Sequence, residues 1–184
     1  MKRLIDIAFA LMALLLLAPV LGLCALAVAF ESGWPVLYCQ TRVGLGGQPF
    51  NMLKFRSMVK NADALGSYMT QANDARITRV GRFIRRTSLD ELPQIINVLR
   101  GDMSLVGPRP DVPLQKALYA PGDWAQRCSV RPGITGLAQA VIRSEATPDQ
   151  RLALDLRYVQ ESSVWFDLKI MLWTLRRLSG KGSN

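Results

Sequence analysis

The sequence predicts a mostly helical α+β protein with an apolar N-terminal membrane helix, a small β-hairpin and amphipathic helices at a membrane interface. Three observations carry that expectation. No charged side chain occurs from Ile7 to Phe30. A Gly44-Leu45-Gly46-Gly47 turn separates two extended runs between Trp34 and Met58. Further on, Thr147 opens a capped helix, and from Val164 apolar residues recur at helical spacing.

The 184 residues are enough for one domain with a sizeable core. Twenty-three Lys and Arg against fourteen Asp and Glu give a formal net charge of +9. That balance points to a polyanionic partner: nucleic acid, a phosphorylated ligand or an anionic membrane face. Cys24, Cys39 and Cys128 lack metal-ligand spacing and cannot all pair, so they read as ordinary thiols in a reducing compartment. The chain has no histidine, so any catalysis here works without an imidazole.

The apolar N-terminus admits three readings. Lys2, Arg3 and the Ala27-Val28-Ala29 triplet resemble a signal peptide, but the apolar run exceeds the ~7–15 residues of a typical h-region. A spanning helix fits, because about 20 apolar residues cross the hydrocarbon. Pro19 in the middle of the run suggests a third structure, a helix that bends and re-enters the side it left. Proline costs roughly 3 kcal/mol inside an ordinary helix. Lys2 and Arg3 precede the run while Arg42, Lys54, Arg56 and Lys60 follow it, so both flanks favour the cytoplasmic side. A span and a re-entrant hairpin remain equally open on these grounds.

Beyond the hairpin, alternation places Lys54 and Arg56 on one strand face, as a solvated edge or an anion-binding pair. The glycine turn lacks the Lys-Ser or Lys-Thr of a phosphate loop. Residues 59–75 read as a helix and a polar loop. The stretch 93–101 reads as a short amphipathic helix stopped by Gly101. Val106-Gly107-Pro108-Arg109-Pro110 is expected to be rigid and extended, and Arg131–Gly136 a constrained loop. Thr147, Pro148 and Gln150 form the signature of a capping box with proline at N1. In 164–178, Trp165 and Trp173 flank an apolar stripe beside Lys169, Arg176 and Arg177, a pattern suited to a membrane-interface helix.

The segment Ser88-Leu89-Asp90-Glu91-Leu92-Pro93 is expected to carry the chemistry. Ser88 and Glu91 match a capping box, which places Asp90 and Glu91 at a helix start where free N–H groups stabilise negative charge. That setting lowers carboxylate pKa values and keeps Asp90 ionised. A positioned, ionised Asp is a competent nucleophile towards phosphorus. Phosphoryl transfer depends on charge neutralisation more than on proton transfer, and Arg85 and Arg109 flank the acids.

These residues resemble a known family. Residues 73–110, with Lys54–Met58, Arg131–Gly136 and Asp167–Ile170, are similar to the bacterial sugar transferases, the monotopic polyprenyl-phosphate phosphoglycosyl transferases. The likeness covers essentially the whole chain. It implies transfer of a sugar 1-phosphate from a UDP-sugar to undecaprenyl phosphate, with release of UMP through a covalent aspartyl phosphosugar. Carried over, Asp90 is the nucleophile and Glu91, with Asp90, binds Mg²⁺. Arg85, Arg109, Lys54 and Arg56 engage phosphates, Asp167 is an active-site acid, and Pro19 sets the membrane bend. The resemblance favours the re-entrant reading: residues 1–33 a membrane helix bent near Pro19, and 34–184 a catalytic domain on the cytosolic face of the bacterial inner membrane. It implies a minimal catalytic unit contacting anionic lipids but no nucleic acid, and leaves a homodimer open. Where family members carry Ser-Pro this chain has Ala18-Pro19, and where they often carry Gly-Leu-Trp-Gln it has Gly136-Leu137-Ala138-Gln139. The competing expectation is a basic, membrane-tethered module that binds anionic lipid or nucleic acid without catalysis. It gives no reason for two acids between arginines.

Overall fold

The architecture comes from a computed structural model that describes residues 1–62, 74–142 and 147–178. The helix and loop expected over 59–75 fall mostly on 63–73, outside the described residues. The first helix, α1 (Lys2–Ser32), is rich in Leu and Ala and contains Pro19. Gly33 ends it at a positive φ of 72°, open to glycine, with its N–H on the Ala29 carbonyl.

Only Asp6, Ala10, Cys24 and Val28 of α1 are buried, near its two ends. The hairpin follows as β1 (Leu37–Val43) and β2 (Pro49–Phe55), antiparallel, with Tyr38 opposite Lys54. Gly46 and Gly47 take positive φ in the turn, the conformation that a glycine turn supplies without a Cβ clash.

After it come α2 (Arg79–Arg86), a 3-10 turn at Leu89–Glu91 and α3 (Gln94–Arg100). Gly101 closes α3 at φ 97° as expected. The start of that region departs from the sequence reading. Ser88 sits at φ 58°, makes no capping hydrogen bond, and the acids lie in the 3-10 turn rather than in the first turn of α3. A left-handed Ser88 cannot present its hydroxyl to the N–H groups as an extended N-cap residue does.

The rigid segments around Gly107 and Gly133 form a feature not expected from sequence. Here β3 (Ser104–Val106) pairs in parallel with β4 (Gly133–Thr135). A methyl group on Gly107 would overlap the Arg131 carbonyl, and one on Gly133 the Gly107 nitrogen, so the two loops meet backbone to backbone. The remaining helices are α4 (Pro121–Arg127), α5 (Leu137–Val141), α6 (Pro148–Glu161) and α7 (Val164–Leu178). Thr147 and Gln150 form the expected capping box of α6.

Two apolar clusters fasten α1 to the rest. Ala10 packs with Met52, Ile95, Val98 and Met103. Cys24 and Val28 pack with Val36, Phe55 and Ile84. Polar ties reinforce both ends. Arg3 donates to the Val98 and Leu99 carbonyls at the end of α3, and Asp6 accepts from the Ser104 hydroxyl. At the other end Glu31 accepts from the first two N–H groups of α2, each at 2.8 Å.

Along α7 the buried positions include Asp167 and Ile170, whereas Trp165, Leu168, Leu172 and Leu175 face outward. The periodic stripe in the sequence is therefore mostly an exposed apolar face.

Candidate active site

The hairpin, the 3-10 turn and the Pro108-Arg109-Pro110 turn enclose an open cavity of about 610 Å³. Its lining includes Lys54 and Arg56 from the end of β2, Arg85 from α2, Asp90 and Glu91 from the 3-10 turn, and Arg109. Six of the eight site residues named from sequence therefore meet in one place. Pro19 and Asp167 do not line it.

Local structure explains the convergence. Asn97 of α3, wholly buried, accepts from Leu53 N–H at 2.9 Å and donates to the Asn51 carbonyl at 2.8 Å, which locks α3 onto β2. That lock brings Lys54 to the acids, and Lys54 Nζ donates to Glu91 Oε1 at 2.9 Å. Arg109 Nη2 reaches the same oxygen at 2.7 Å. Arg109 is itself held through its carbonyl, which accepts from Arg127 Nη2 at 2.5 Å. Arg127 in turn pairs with Asp111 at 2.7 Å and Asp155 at 2.9 Å, all three buried. Buried ions survive only when paired in this way.

The electrostatics separate the two acids. Burial alone would raise the Glu91 pKa, but the charges of Arg109 and then Lys54 outweigh it and hold the group at about 2. Asp90 shifts the other way, raised first by burial and then by the Glu91 charge, with Lys54 and Arg85 opposing. The expectation of a lowered Asp90 pKa is corrected: a short 3-10 turn offers too few aligned N–H groups to offset desolvation and a neighbouring carboxylate. Burial likewise lowers Lys54, with Glu91 opposing.

Lys54 is not a solvated edge residue, since it is half-buried against Glu91. Arg56 is buried as well, and its Nη2 donates to the Ser32 carbonyl at 2.7 Å and to the Gly33 carbonyl. It caps the C-terminus of α1 as well as lining the cavity. Arg85 Nε donates to Ser57 Oγ at 2.8 Å. Asp167 lies elsewhere, pairing with Lys2 and accepting from the Tyr158 hydroxyl at 2.8 Å. That hydroxyl also contacts the Val106 carbonyl at 2.9 Å.

Three basic residues of the cavity, Arg42, Lys60 and Arg76, are not site residues in the sequence reading. Tyr38, Gln40 and Arg42 share one face of β1, and the pairing of Tyr38 with Lys54 puts that face beside the acids. Strand alternation was the signal available. Arg42 also donates to the Pro110 carbonyl at 2.9 Å, joining the hairpin to the Arg109 turn.

Magnesium is usually held by one or two carboxylates together with substrate phosphates rather than by a full protein cage. Asp90 and Glu91, adjacent and facing one cavity, fit that pattern. No cluster of three or more Asp, Glu, Cys or His side chains suited to a metal occurs among the described residues.

Two carboxylates set among cations in one open cavity define a site for transfer chemistry on a phosphorylated substrate. The chain belongs to the bacterial sugar transferase family, whose model matches residues 1–181. A UDP-glucose:undecaprenyl-phosphate glucose-1-phosphate transferase of Caulobacter vibrioides is 47% identical over 96% of this chain and 69% of its own length. The Escherichia coli (strain K12) protein of the same name is 48% identical over 95% of this chain and 39% of its own. The Aeromonas hydrophila UDP-N-acetylgalactosamine-undecaprenyl-phosphate N-acetylgalactosaminephosphotransferase is 40% identical, covering 99% and 44%. The chain thus spans about two thirds of the first relative and under half of the other two. The non-catalytic binding module gives way to a family of enzymes.

Proposed function

We propose that this protein transfers a sugar 1-phosphate from a UDP-sugar to a polyprenyl phosphate at a membrane surface, releasing UMP. The observation that supports it most is the Asp90-Glu91 pair, facing one cavity with Lys54, Arg85 and Arg109. The relatives' names give the donor class, and they differ in the sugar.

In this reading Asp90 acts first. Glu91 is held ionised by Arg109 and Lys54, which leaves Asp90 the more basic of the two carboxylates. An Asp90 oxygen forms a bond to the β-phosphorus of the donor. The bond from that phosphorus to the bridging oxygen breaks, and UMP departs with the electron pair. A phosphate oxygen of the polyprenyl acceptor then attacks the same phosphorus, and the carboxylate of Asp90 is restored. Arg109, Lys54 and Arg85 neutralise the diphosphate throughout. Mg²⁺, held by Asp90 and Glu91 with the donor phosphates, would add neutralising charge at the same oxygens. Asp167, tied to Lys2 and Tyr158 away from the cavity, acts as a structural anchor of α1 rather than as an acid in the reaction.

The acceptor and the membrane enter through α1. Both ends of α1 are bonded to the one domain, while residues 11–23 contain no buried side chain. A helix tied down at each end, with Ala13, Leu14, Leu17, Val20 and Leu21 packed on the domain and Leu11, Met12, Leu15, Leu16 and Leu23 exposed, suits a place in one leaflet, with Pro19 in its middle. The outward Leu15, Leu16, Leu23, Leu26 and Phe30, together with the outer face of α7, supply the apolar surface that lipid would cover. With both anchoring ends on the basic domain, that domain lies on the cytosolic face.

The test is UMP release from a panel of UDP-sugars by the membrane-embedded protein. Turnover dependent on polyprenyl phosphate and abolished in Asp90→Asn is expected. Turnover retained by that variant contradicts the reading.

A further inference from the structure

A second cavity, of about 660 Å³, shares Arg109 with the first and takes no other lining residue from it. Its size falls within the ~300–1,000 Å³ typical of small-molecule sites. Arg109 lines both cavities, so the two adjoin at the residue that holds Glu91. We propose that this second cavity receives the nucleoside of the donor, so that the substrate passes Arg109 with its diphosphate in the first cavity and its uridine in the second. The proposal rests on the UDP-sugar reading given above.

Three observations favour a nucleoside over the other groups the enzyme would handle. The first is the direction of departure. Phosphoryl displacement keeps the attacking and leaving oxygens roughly in line, so UMP leaves on the side of phosphorus remote from Asp90. Asp90 lines only the first cavity, whereas Arg109 lines both, so the second is reached past the cation and away from the nucleophile's own lining.

The second is lining chemistry. Leu118, Tyr119, Ile142 and Leu152 offer apolar and aromatic surface for a flat base. The buried Arg127 is already neutralised by Asp111 and Asp155, so it is not a spare cation for another phosphate. An isoprenoid would bury hydrocarbon against a polar lining that includes Gln115, Gln139 and Asp149, whereas ribose hydroxyls and the uracil imide can hydrogen-bond there.

The third is position. Neither cavity is lined by α1 itself, but the first includes Pro35, just past its end, and Arg56, bonded to its last carbonyls. The lipid-linked acceptor thus has its approach through the first cavity, and the second is left to the soluble donor.

The experiment uses the full chain in detergent or nanodiscs. UMP affinity is measured calorimetrically for wild type, Leu152→Trp and Ile142→Trp, alongside KM for the UDP-sugar and for polyprenyl phosphate. Both tryptophans should weaken UMP binding at least about tenfold, equal to ~1.4 kcal/mol, and raise the donor KM, with the acceptor KM unchanged. Hydrogen exchange on wild type gives a readout independent of variant folding: UMP should protect amides in 137–142 and 148–155. Wild-type UMP affinity in both folded variants overturns the proposal. Protection confined to the hairpin overturns it too, as does a rise in the acceptor KM alone. A wild-type protein that binds neither UMP nor any UDP-sugar overturns the donor reading itself, a different result from intact UMP binding that ignores this cavity.

Discussion

One oxygen of Glu91, Oε1, accepts from Arg109 at 2.7 Å and from Lys54 at 2.9 Å, so a single carboxylate joins the Pro108-Arg109-Pro110 turn to the end of β2. The contact aims two cations at the place where a diphosphate would lie. It also explains why adjacent acids differ: Glu91 is satisfied by two cations, and Asp90 bears the cost of burial next to it.

The Glu91 ion pairs should appear in the pH dependence of stability. Its folded pKa of about 2 lies below the ordinary 4.5. Its contribution is therefore complete above pH ~4.5 and is lost as pH falls through that value towards 2. The shift corresponds to about 3 kcal/mol at most. Denaturant melts of metal-free protein between those pH values should show a steeper loss for wild type than for Glu91→Gln. Equal slopes would mean that Glu91 is not held by Arg109 and Lys54.

Asn97 should matter for stability out of proportion to its size. Replacement by Leu orphans the Leu53 N–H and the Asn51 carbonyl, at about 1–3 kcal/mol for each buried group. A clear fall in melting temperature is expected, with loss of turnover because Lys54 sits one residue along the same strand. An unchanged melting temperature would show that β2 does not depend on α3.

The parallel pairing of β3 and β4 makes a backbone prediction. Gly107→Ala and Gly133→Ala would each drive a methyl into backbone atoms of the facing loop, displacing Arg109. Both should lose folded yield and activity. Gly22→Ala, where a methyl meets nothing within 4 Å, should alter neither. Wild-type activity in Gly133→Ala would contradict the packing described.

Much of this was legible in the sequence because the signals were local. The glycine turn fixed the hairpin, Thr147-Pro148-Gln150 the start of α6, and Gly101 the end of α3. The meeting of Lys54, Arg85, Asp90, Glu91 and Arg109 followed from resemblance, since residues 54 and 109 are brought together by contacts distant in sequence, among them the packing of β2 on α3 and the bond from Arg42 to the Pro110 carbonyl. What the sequence hid was non-local. No periodicity signals a three-residue parallel pair between 104–106 and 133–135. The capping box at Ser88 failed because a left-handed residue breaks the pattern without changing the letters. The Asp90 pKa was misjudged in sign because a helix-start argument ignores how deeply the group is buried.

The outer face of α7 carries a membrane prediction. Trp165 is 77% exposed and Leu172 48%, so replacing both with Glu removes apolar surface without opening the core. Binding to vesicles containing anionic lipid should weaken while the melting temperature holds. Unchanged vesicle binding would leave α1 as the sole anchor.

In the proposed reaction Asp90 becomes covalently loaded, and intact mass reads that loading without intermediary. The purified protein is incubated with Mg²⁺ and each UDP-sugar in turn, without polyprenyl phosphate. One added sugar phosphate, absent in Asp90→Asn and discharged when polyprenyl phosphate is supplied, is the expected result. An unmodified mass with every donor, in a preparation that still releases UMP once acceptor is added, would contradict it and assign the reaction to direct attack by the lipid phosphate.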